Sequence, residues 1–452
     1  MRENVLHLKA PGNWINDPNG FIYYDGWYHL FFQHFPYAPV WGTMHWGHAV
    51  SRDLVHWKHL GIAVFPTKSY DRNGVFSGSA IERGGELCLY YSAVRYLKEN
   101  PENIHCAPEG GFETSQAMIT SSDGFHFENW KDKRQIIPVI HNREMADPAD
   151  TRDPKVWREM GRYYMVLGST WEKKQGQAVF FISEDGEHWE FLSRQPKEAF
   201  GHTLECPDLF RLGDQRILLG SPMGVMKDGL EYPSNAMGWR AEFQPETGKL
   251  ELLGEGQLVD CGMDLYAPQT TLDRDGRRVM IAWMRMPKAA EPENSEDGLP
   301  WNGMMCLPRV VEVKDGHIYF RVHPEVEKHF APAAAAEMTV LMEGWKEQGR
   351  GMGIFRIKTK LPEGEGLNIG GYRIWREDGA IKTDRSQVFQ GISGYRTCFS
   401  TPQVEGECRL DIFVEPNLIE IFVNEGEYVL SSVVYDMKPF VEGKADSWYV
   451  FS

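Results

Sequence analysis

The chain has 452 residues, too many for one ordinary domain and enough for two large β domains. Hydrophobic residues make up 42% and charged residues 25%, as in ordinary soluble globular proteins. The net charge of −16 argues against a nucleic-acid partner, because binding phosphates requires clustered lysine and arginine. No stretch approaches the roughly 18 consecutive apolar residues that span a bilayer, so no membrane association is predicted.

The N-terminal sequence and the cysteines indicate in which cellular compartment the protein is expected. The opening sequence, MRENVLHLKAPGNW, has no apolar core of the kind found in signal peptides. The seven cysteines are scattered and form no CxxC pair, which argues against a zinc or redox centre. We therefore expect reduced thiols, a cytoplasmic protein and no cofactor. The 15 tryptophans either stack on sugars or fill large cores, and composition alone leaves both interpretations open.

A repeated hairpin pattern runs through the first 290 residues. β-branched and aromatic arms flank a glycine-containing turn at Gly26, Gly85, Gly161, Gly213 and Gly276. The pattern S-x-D-[LG]-x-H-[WF] follows three of these hairpins, beginning at Ser51, Ser121 and Ser183. Each unit then contains about four strands, and five such units in series predict a five-bladed β-propeller. The alternative is an irregular β protein whose turns happen to share this spacing.

The segments just before the hairpins carry the candidate chemistry. Five residues stand eight or nine positions ahead of their turn glycines, namely Asp17, Ser77, Asp153, Glu205 and Ala267. Because the innermost strands of a propeller surround its central channel, we expect these positions to converge on one pocket. Three of the five are carboxylates.

The remaining chain predicts a second domain. Residues 323–337, beginning HPEVEKHFAP, indicate a linker with a turn or two of helix. Beyond it, segments such as RLDIFVE and LIEIFVNEGEY alternate apolar and polar residues, which is typical of a β-sandwich. The predicted architecture is therefore all-β, with a propeller over 1–322 and a sandwich over 338–452. The sandwich is assigned a structural role, with accessory sugar binding as the alternative.

Three converging carboxylates suit the cleavage of a glycosidic bond. One protonated carboxyl assists the leaving group while one carboxylate meets the sugar carbon, and their separation decides between retention and inversion. A third carboxylate can hold sugar hydroxyls as positive charge develops. Crowded negative charges also raise at least one pKa, as a general acid near neutral pH requires.

Two other patterns resemble functional sites without completing one. Asp147-Pro148 repeats the dipeptide Asp153-Pro154 but lacks a preceding arginine, so we interpret it as a loop turn. A histidine group resembles a metal cluster but lacks the paired carboxylates of a ligand set, and no metal is predicted. Its members are His45, His48, His56 and His59.

Four motifs together resemble glycoside hydrolase family 32, the family of invertases, sucrose-6-phosphate hydrolases and exo-fructanases. They are WINDPNG from Trp14, FSGSA from Phe76, RDP from Arg152 and ECPD from Glu205. MHWGHAVSRDLVHW, DLYAPQT and EIFVNEGEY also match, so the resemblance covers nearly the whole chain in the same order. Ile15 and Leu265 stand where the family often has Met and Phe, and both changes keep an apolar residue.

The resemblance implies a role for each carboxylate. Asp17 corresponds to the nucleophile that forms a covalent fructosyl-enzyme intermediate, and Glu205 to the general acid/base. Asp153 corresponds to the residue that stabilises the transition state through the fructose hydroxyls. Arg152 would pair with these carboxylates and keep them ionised, and Cys206 is either a neighbour that tunes the site or a buried thiol.

The resemblance also implies substrate-binding residues, for which packing in the core is the alternative. The polar contacts to fructose would come from Asn16, Gln33, Ser77 and Tyr266. The aromatic wall would come from Trp14, Trp41, Phe76 and Trp283. Trp301 is a weaker candidate with a structural alternative.

The implied activity is that of a retaining β-fructofuranosidase (EC 3.2.1.26-like). Such an enzyme hydrolyses the terminal non-reducing β-D-fructofuranosyl unit of sucrose, sucrose 6-phosphate or short fructo-oligosaccharides, with a small sugar as its one partner. The alternatives are a fructosyltransferase on the same scaffold and, in a different class, a non-catalytic carbohydrate-binding protein. The preferred substrate and the oligomeric state stay open, with Lys173, Lys174 and Lys227 as candidates to bind a substrate phosphate.

Overall fold

The computed structural model describes residues 6–108, 111–225, 234–292 and 296–452. Nearly all regular structure in these ranges is β, which confirms the predicted all-β class. The two α-helices described are α1 (Pro324–Glu327) and α2 (Ala335–Glu347). In the described ranges, neither helix combines the length and the apolar character needed to cross a lipid bilayer.

The strands described up to residue 322 alternate with short turns. In chain order they are β1 (Asn13–Tyr24), β2 (Trp27–Phe35), β3 (His45–Ser51), β4 (Trp57–Val64), β5 (Val75–Arg83), β6 (Glu86–Tyr96), β7 (Phe112–Ser121), β8 (Arg134–Ile137), β9 (Arg152–Glu159), β10 (Arg162–Trp171), β11 (Gln175–Ser183), β12 (Glu190–Pro196), β13 (Thr203–Leu212), β14 (Gln215–Met223), β15 (Met237–Gln244), β16 (Lys249–Leu258), β17 (Leu265–Leu272), β18 (Arg278–Met284), β19 (Trp301–Asn302), β20 (Met304–Met305), β21 (Arg309–Lys314) and β22 (His317–Val322).

These strands form sheets of sequential neighbours. β1 to β4, β5 to β8, β9 to β12 and β13 to β16 each form one antiparallel sheet, and β17, β18, β21 and β22 form another. The short β19 extends the first sheet by pairing in parallel with β1. The first strands of these sheets contact one another in the order β1, β5, β9, β13 and β17, and β17 returns to β1. The sheets thus surround a common centre, as the blades of a propeller do.

The predicted hairpins are present. Each of the five turn glycines lies between the first two strands of its sheet, at a positive φ of 79° at Gly26, 85° at Gly85, 83° at Gly161, 60° at Gly213 and 81° at Gly276. Glycine reaches this left-handed region without steric cost, which is why it recurs there. The S-x-D-x-x-H pattern is also a turn, because Asp53 Oδ1 accepts the backbone N–H groups of Val55 and His56 at 3.0 and 2.8 Å.

A β-bulge interrupts the first strand of each of these sheets at the same level. The register slips between Ile15 and Pro18 in β1, and at corresponding points of β5, β9, β13 and β17. In the last three, the bulge contains an X-Pro step whose first residue has a positive φ, 66° at Asp153, 47° at Cys206 and 52° at Ala267. Proline has no N–H to donate to a ladder, and bulges re-aim side chains. The candidate residues therefore lie at backbone irregularities rather than in regular strand.

Because of the bulges, Asp153 and Glu205 do not occupy equivalent strand positions. Counting back from the turn glycines gives Asp153 and Glu205 the same position in their strands. In the structure, Cys206 is the counterpart of Asp153, and Glu205 is the residue before the bulge, equivalent to Arg152. The carboxylates converge because the bulged segments meet, and not because they occupy identical positions.

The C-terminal part is built from two facing sheets. Its strands are β23 (Phe330–Ala333), β24 (Phe355–Lys360), β25 (Gly366–Ile369), β26 (Tyr372–Glu377), β27 (Ala380–Asp384), β28 (Cys398–Ser400), β29 (Arg409–Glu415), β30 (Leu418–Val423), β31 (Tyr428–Val433), β32 (Val441–Glu442) and β33 (Ser447–Phe451). One sheet has the order β23-β33-β24-β29-β30-β31 and the other β28-β27-β26-β25-β32. Buried side chains such as Ile357, Ile374 and Ile412 fill a shared core.

The predicted linker, 323–337, contains more structure than expected. It includes α1, all of β23 and the beginning of α2. Because β23 pairs with β33, the chain has already joined the sandwich sheet at Phe330. The pairing joins segments more than 100 residues apart, so local sequence patterns gave no sign of it.

A buried charge network joins the two parts. His7 Nε2 lies 2.8 Å from Glu420 Oε1, and Arg309 Nη2 lies 2.6 Å from Glu420 Oε2. Lys9 pairs with Glu415, and all these side chains are nearly inaccessible to solvent. Burial alone would lower the pKa of His7, but hydrogen bonds to Glu415 and Glu420 raise it to about 9. The segment leading into β1 is thus held by carboxylates of β29 and β30.

Candidate active site

A cavity of about 430 Å³ lies where the bulged segments meet. Eleven of the twelve predicted site residues line it, namely Asn16, Asp17, Gln33, Trp41, Phe76, Ser77, Arg152, Asp153, Glu205, Tyr266 and Trp283. Trp14 does not line the cavity but supports it. Its indole Nε1–H donates to Asn16 Oδ1 at 2.8 Å, and its ring packs edge-on against Trp283 at 5.7 Å between centroids.

Asp17 is held by neutral donors. The Ser77 hydroxyl donates to Asp17 Oδ2 at 2.6 Å, and Asn16 Nδ2 donates to Oδ1 at 3.2 Å. Burial raises the pKa of Asp17, and the charge of Glu205 adds to this, while the Ser77 and Asn16 donors counteract both. The carboxylate is therefore fixed in direction without a cation bound to it, which leaves its charge available to an electrophilic carbon.

The residue after Ser77 makes a close backbone contact in β5. A Cβ added at this residue, Gly78, would lie 1.9 Å from the carbonyl oxygen of Tyr90. Only glycine fits there without moving the backbone, which explains the glycine of the FSGSA segment.

Asp153 lies in a buried, crowded environment. Its Oδ2 accepts the backbone N–H of Cys206 at 2.8 Å, and its own N–H donates to Ser92 Oγ at 2.9 Å. Burial and the charges of Glu205 and Asp17 raise the pKa of Asp153 to about 7, although Arg152 acts in the opposite direction. Cys206 Sγ lies 3.5 Å from Asp17 Oδ2 and 3.6 Å from Asp153 Oδ2, so the thiol separates the two carboxylates.

Glu205 is the carboxylate with charged and phenolic partners. Its Oε1 accepts from Arg152 Nη2 at 2.8 Å and Nε at 3.2 Å, and its Oε2 accepts the Tyr266 hydroxyl at 2.6 Å. Burial would lower the pKa of Arg152, but Glu205 and Asp150 raise it well above its usual value, so the guanidinium stays charged. The side chain of Glu205 is 20% exposed, which gives it access to an incoming group.

Aromatic rings form the wall and the mouth of the cavity. Trp41 and Phe76 meet edge to face at 6.0 Å, and Trp41 is 43% exposed. Gln33 Nε2 donates to the carbonyl oxygen of Val75 at 3.0 Å, which fixes its amide beside Phe76. Trp301 does not line the cavity. It is fully buried in β19, which agrees with the alternative of a structural role. Ring faces beside polar donors are a setting suited to a sugar, which has both C–H faces and hydroxyls.

Sequence reasoning missed part of the lining. Tyr96, Cys106, Ala107 and Phe112 reach the cavity from the end of β6 to the start of β7. This stretch carries no motif, and its contribution depends on tertiary contacts such as that between His105 Nδ1 and Thr43 Oγ1 at 2.9 Å. Asp150 was missed as well, although it lies two residues before Arg152 and accepts from its Nη1 at 2.8 Å.

The lysines considered for phosphate binding either lie near carboxylates or fall outside the described residues. Lys173 Nζ pairs with Asp147 Oδ1 at 2.8 Å and also with Asp150. Lys174 is 79% exposed and lies 3.4 Å from Glu172. Lys227 lies outside the described residues.

The histidines considered as metal ligands do not assemble as a group. In the described parts of the chain, the residues that bring three possible ligand atoms within 4.8 Å of one another are Asp53, His56 and His329. His56 belongs to the turn pattern already described, with its Nδ1 2.8 Å from Asp53 Oδ2. The same Asp–His contact recurs between Asp123 and His126 and between Asp185 and His188. The recurrence indicates a turn contact.

Replacing Asp153 by asparagine is expected to stabilise the fold at alkaline pH. Because its pKa is raised to about 7, folding opposes ionisation of Asp153, and stability falls as the pH rises from the unfolded to the folded pKa. The free energy of unfolding of Asp153→Asn should exceed that of the wild type by about 2 to 4 kcal/mol at about pH 8 and equal it at about pH 4. Urea denaturation at both pH values measures this.

Asp208→Asn is the matched control for that experiment. Asp208 is also buried, but it pairs with Lys155 Nζ at 3.0 Å. Removing the charge of Asp208 leaves Lys155 without its partner, so this substitution should lower the free energy of unfolding. An Asp153→Asn variant that is less stable than the wild type at alkaline pH would contradict the role of crowding at this site.

Comparisons with known proteins agree over nearly the whole chain. The model of the Glycosyl hydrolases family 32 N-terminal domain matches residues 7–324, and that of the family 32 C-terminal domain matches residues 333–449. A sucrose-6-phosphate hydrolase of Zymomonas mobilis is 34% identical over 476 residues, covering 97% of this chain and 88% of that protein. A raffinose invertase of Escherichia coli is 33% identical, covering 95% and 89%.

Solved structures show the same architecture. A GH32 beta-fructofuranosidase of Bombyx mori superposes with a TM-score of 0.76 at 27% identity, covering 98% of this chain and 91% of that one. A sucrose-6-phosphate hydrolase of Lactobacillus gasseri superposes with a TM-score of 0.80 at 24% identity, covering 99% of this chain and 92% of that one. This second likeness is one of fold. With its N-terminal β-propeller, C-terminal β-sandwich and matching domain models, the chain belongs to glycoside hydrolase family 32.

Proposed function

We propose that the protein is a retaining β-fructofuranosidase that releases terminal, non-reducing β-D-fructofuranosyl units. The observation that carries the proposal is the different partner set of each carboxylate in one cavity. Asp17 has neutral donors, Glu205 has a guanidinium and a phenol, and Asp153 has a backbone N–H. Family membership and the names of the relatives, which include sucrose-6-phosphate hydrolases and a raffinose invertase, agree with it.

In the proposed mechanism, Asp17 attacks the anomeric carbon of the fructosyl unit. Glu205 gives its proton to the bridging oxygen, so the leaving sugar departs as a neutral alcohol and a covalent fructosyl-enzyme forms. Glu205 then takes a proton from water, which attacks the same carbon and releases fructose and Asp17. Asp153 accepts hydrogen bonds from fructose hydroxyls, which strengthen as positive charge builds on the ring.

The remaining site residues are proposed to hold the sugar. Asn16, Gln33, Ser77 and Tyr266 supply polar contacts, while Trp41, Phe76 and Trp283 supply the wall, with Trp14 behind Asn16. Sucrose, its 6-phosphate and short fructo-oligosaccharides are the candidate substrates. Lys173 is a poor phosphate ligand, because Asp147 and Asp150 already neutralise it.

Proposals on the architecture and the location of the protein accompany this function. The sheets that begin with β1, β5, β9, β13 and β17 correspond to five blades, supported by the contact order of their first strands. The catalytic domain spans 1–322 as proposed from the sequence, and the sandwich begins near 330 rather than 338, supported by the pairing of β23 with β33. A cytoplasmic location stays a prediction of the sequence.

Turnover of three substrates tests the function. The purified protein is expected to convert sucrose to glucose and fructose in equal amounts, and kcat/KM on sucrose, sucrose 6-phosphate and an inulin-type oligomer ranks the candidates. A fructosyltransferase would release less free fructose than glucose as sucrose concentration rises. No turnover of any of the three between about pH 4 and about pH 9 would contradict the enzyme and favour a carbohydrate-binding protein.

A further inference from the structure

A row of alternating charges leads from the cavity towards the surface. Glu205 Oε1 accepts from Arg152 Nη2 at 2.8 Å, and Asp150 Oδ1 accepts from Nη1 of the same guanidinium at 2.8 Å. Lys173 Nζ binds the other oxygen of Asp150 and also lies 2.8 Å from Asp147 Oδ1. The order of charges is therefore negative, positive, negative, positive, negative, starting at the proposed acid/base.

The inner members of this row are shielded from solvent. The side chain of Arg152 is 11% exposed and that of Asp150 is 24% exposed, whereas Lys173 is 52% exposed. Buried charges interact more strongly than exposed charges, because water and dissolved salt weaken the interaction between exposed charges. Asp150 should therefore influence Arg152 strongly, and Lys173 should modulate Asp150 more weakly.

Asp150 is held rigidly in this position by its own loop. Asp147 Oδ1 accepts the backbone N–H groups of Ala149 and Asp150, both at 2.9 Å, and Thr151 Oγ1 donates to the carbonyl oxygen of Asp147 at 2.6 Å. Burial would raise the pKa of Asp150, but Arg152 and Lys173 lower it, so the group is ionised. The Asp147-Pro148 segment is thus the loop turn expected from the sequence, and it serves to fix Asp150.

We propose that Asp150 is a positioning residue which, together with Lys173, sets how much of the positive charge of Arg152 acts on Glu205, and so the position of the alkaline limb of the pH profile of turnover. This inference rests on the proposed function, in which Glu205 protonates the leaving group. A guanidinium paired with Glu205 alone would favour the ionised carboxylate, which has no proton to give. Because Asp150 shares the guanidinium, less of its positive charge acts on Glu205.

Other charged and titratable groups face Glu205 from every neighbouring element. They are Tyr266 from β17, Asp17 from β1, Asp153 from β9, Cys206 from β13 and Arg285, which lies over the Tyr266 ring at 4.6 Å. No described hydrogen bond or ion pair joins Asp150 or Lys173 to Tyr266, Asp17, Asp153 or Cys206, so substitutions in the row leave these four in place.

The test compares the pH dependence of kcat/KM on sucrose for Asp150→Asn and Lys173→Gln at low ionic strength. Asp150→Asn removes a negative charge and is expected to move the alkaline limb to lower pH by about 0.5 to 1 unit. Lys173→Gln removes a positive charge and is expected to move the limb to higher pH by about 0.2 to 0.5 unit, with added salt reducing the displacement. The opposite signs are the signature of the proposed charge sharing.

The matched controls are Glu172→Gln and Lys174→Gln. Both residues are exposed, adjacent to Lys173 and paired with each other at 3.4 Å, but neither belongs to the row. They should leave the alkaline limb unmoved. An activated aryl fructoside, which needs no proton on its leaving group, should show no displacement of that limb in any of the four variants.

Two results would overturn the inference. One is a fall in rate at every pH with the limb in place, as a purely structural role of Asp150 predicts. The other is a displacement of the same sign in both variants. If Asp150→Asn does not fold, Lys173→Gln alone decides, because a limb that does not move to higher pH contradicts the proposal. Absence of wild-type turnover would instead contradict the proposed function.

Discussion

Replacing Asp17 by asparagine is expected to reduce kcat on sucrose by a factor on the order of 10⁴ or more. Asparagine has nearly the same shape and can keep the hydrogen bond from Ser77, but its amide oxygen is too weak a nucleophile to form the fructosyl-enzyme. The fold should persist, because the substitution removes a buried carboxylate whose pKa is raised by that burial. Initial rates and thermal unfolding of the purified variant measure the two effects.

Asp25→Asn is the matched control for Asp17→Asn. Asp25 lies in the turn of the same β1–β2 hairpin, is exposed, and has a φ of 46° that asparagine tolerates well. Its activity should match that of the wild type. Substantial activity in Asp17→Asn would remove Asp17 from the mechanism, while equal losses in both variants would point to a disturbed hairpin.

Replacing Glu205 by glutamine is expected to separate substrates by their leaving groups. On sucrose, kcat/KM should fall by a factor on the order of 10³, because no proton reaches the departing glucose. On an activated aryl fructoside, whose leaving group departs as an anion, the loss in forming the fructosyl-enzyme should be about tenfold or less. Rates on both substrates, measured across the pH range, give the comparison.

The alkaline limb of the sucrose profile, measured on the residual activity, provides a second readout for Glu205→Gln. Glutamine does not titrate, so any limb that belongs to Glu205 should disappear in the variant. Glu198→Gln, an exposed residue shortly before β13, serves as the control and should behave as the wild type. Equal losses on sucrose and on the aryl fructoside would argue against the acid role.

Much of the fold was predictable because its repeats are local. A turn glycine at a positive φ between two aromatic and β-branched arms is a short-range signal, and all five predicted hairpins are present. The convergence of Asp17, Asp153 and Glu205 was predictable to within one residue. The bulge that distinguishes Cys206 from Glu205 depends on the pairing of β13 with β14, which spacing alone does not specify.

The unpredicted parts of the site depend on contacts between distant segments. Phe112 and Cys106 line the cavity through tertiary packing, and no periodicity in the sequence around them signals this. Asp150 is close to Arg152 in sequence, but its importance lies in sharing a guanidinium with Glu205, 55 residues further along the chain. Electrostatic partners of this kind become visible only when side chains are placed in three dimensions.

The buried charges between the two domains bear on how the protein unfolds. His7, Lys9 and Arg309 belong to the propeller, yet Glu415 and Glu420 of the sandwich provide their counter-charges. Neither domain forms these pairs by itself, and leaving a buried ion without its partner costs about 3 to 5 kcal/mol, a large part of the roughly 5 to 15 kcal/mol that stabilises a domain. Propeller and sandwich should therefore melt in one cooperative transition, and the segment that leads to Asp17 loses its order only when both do.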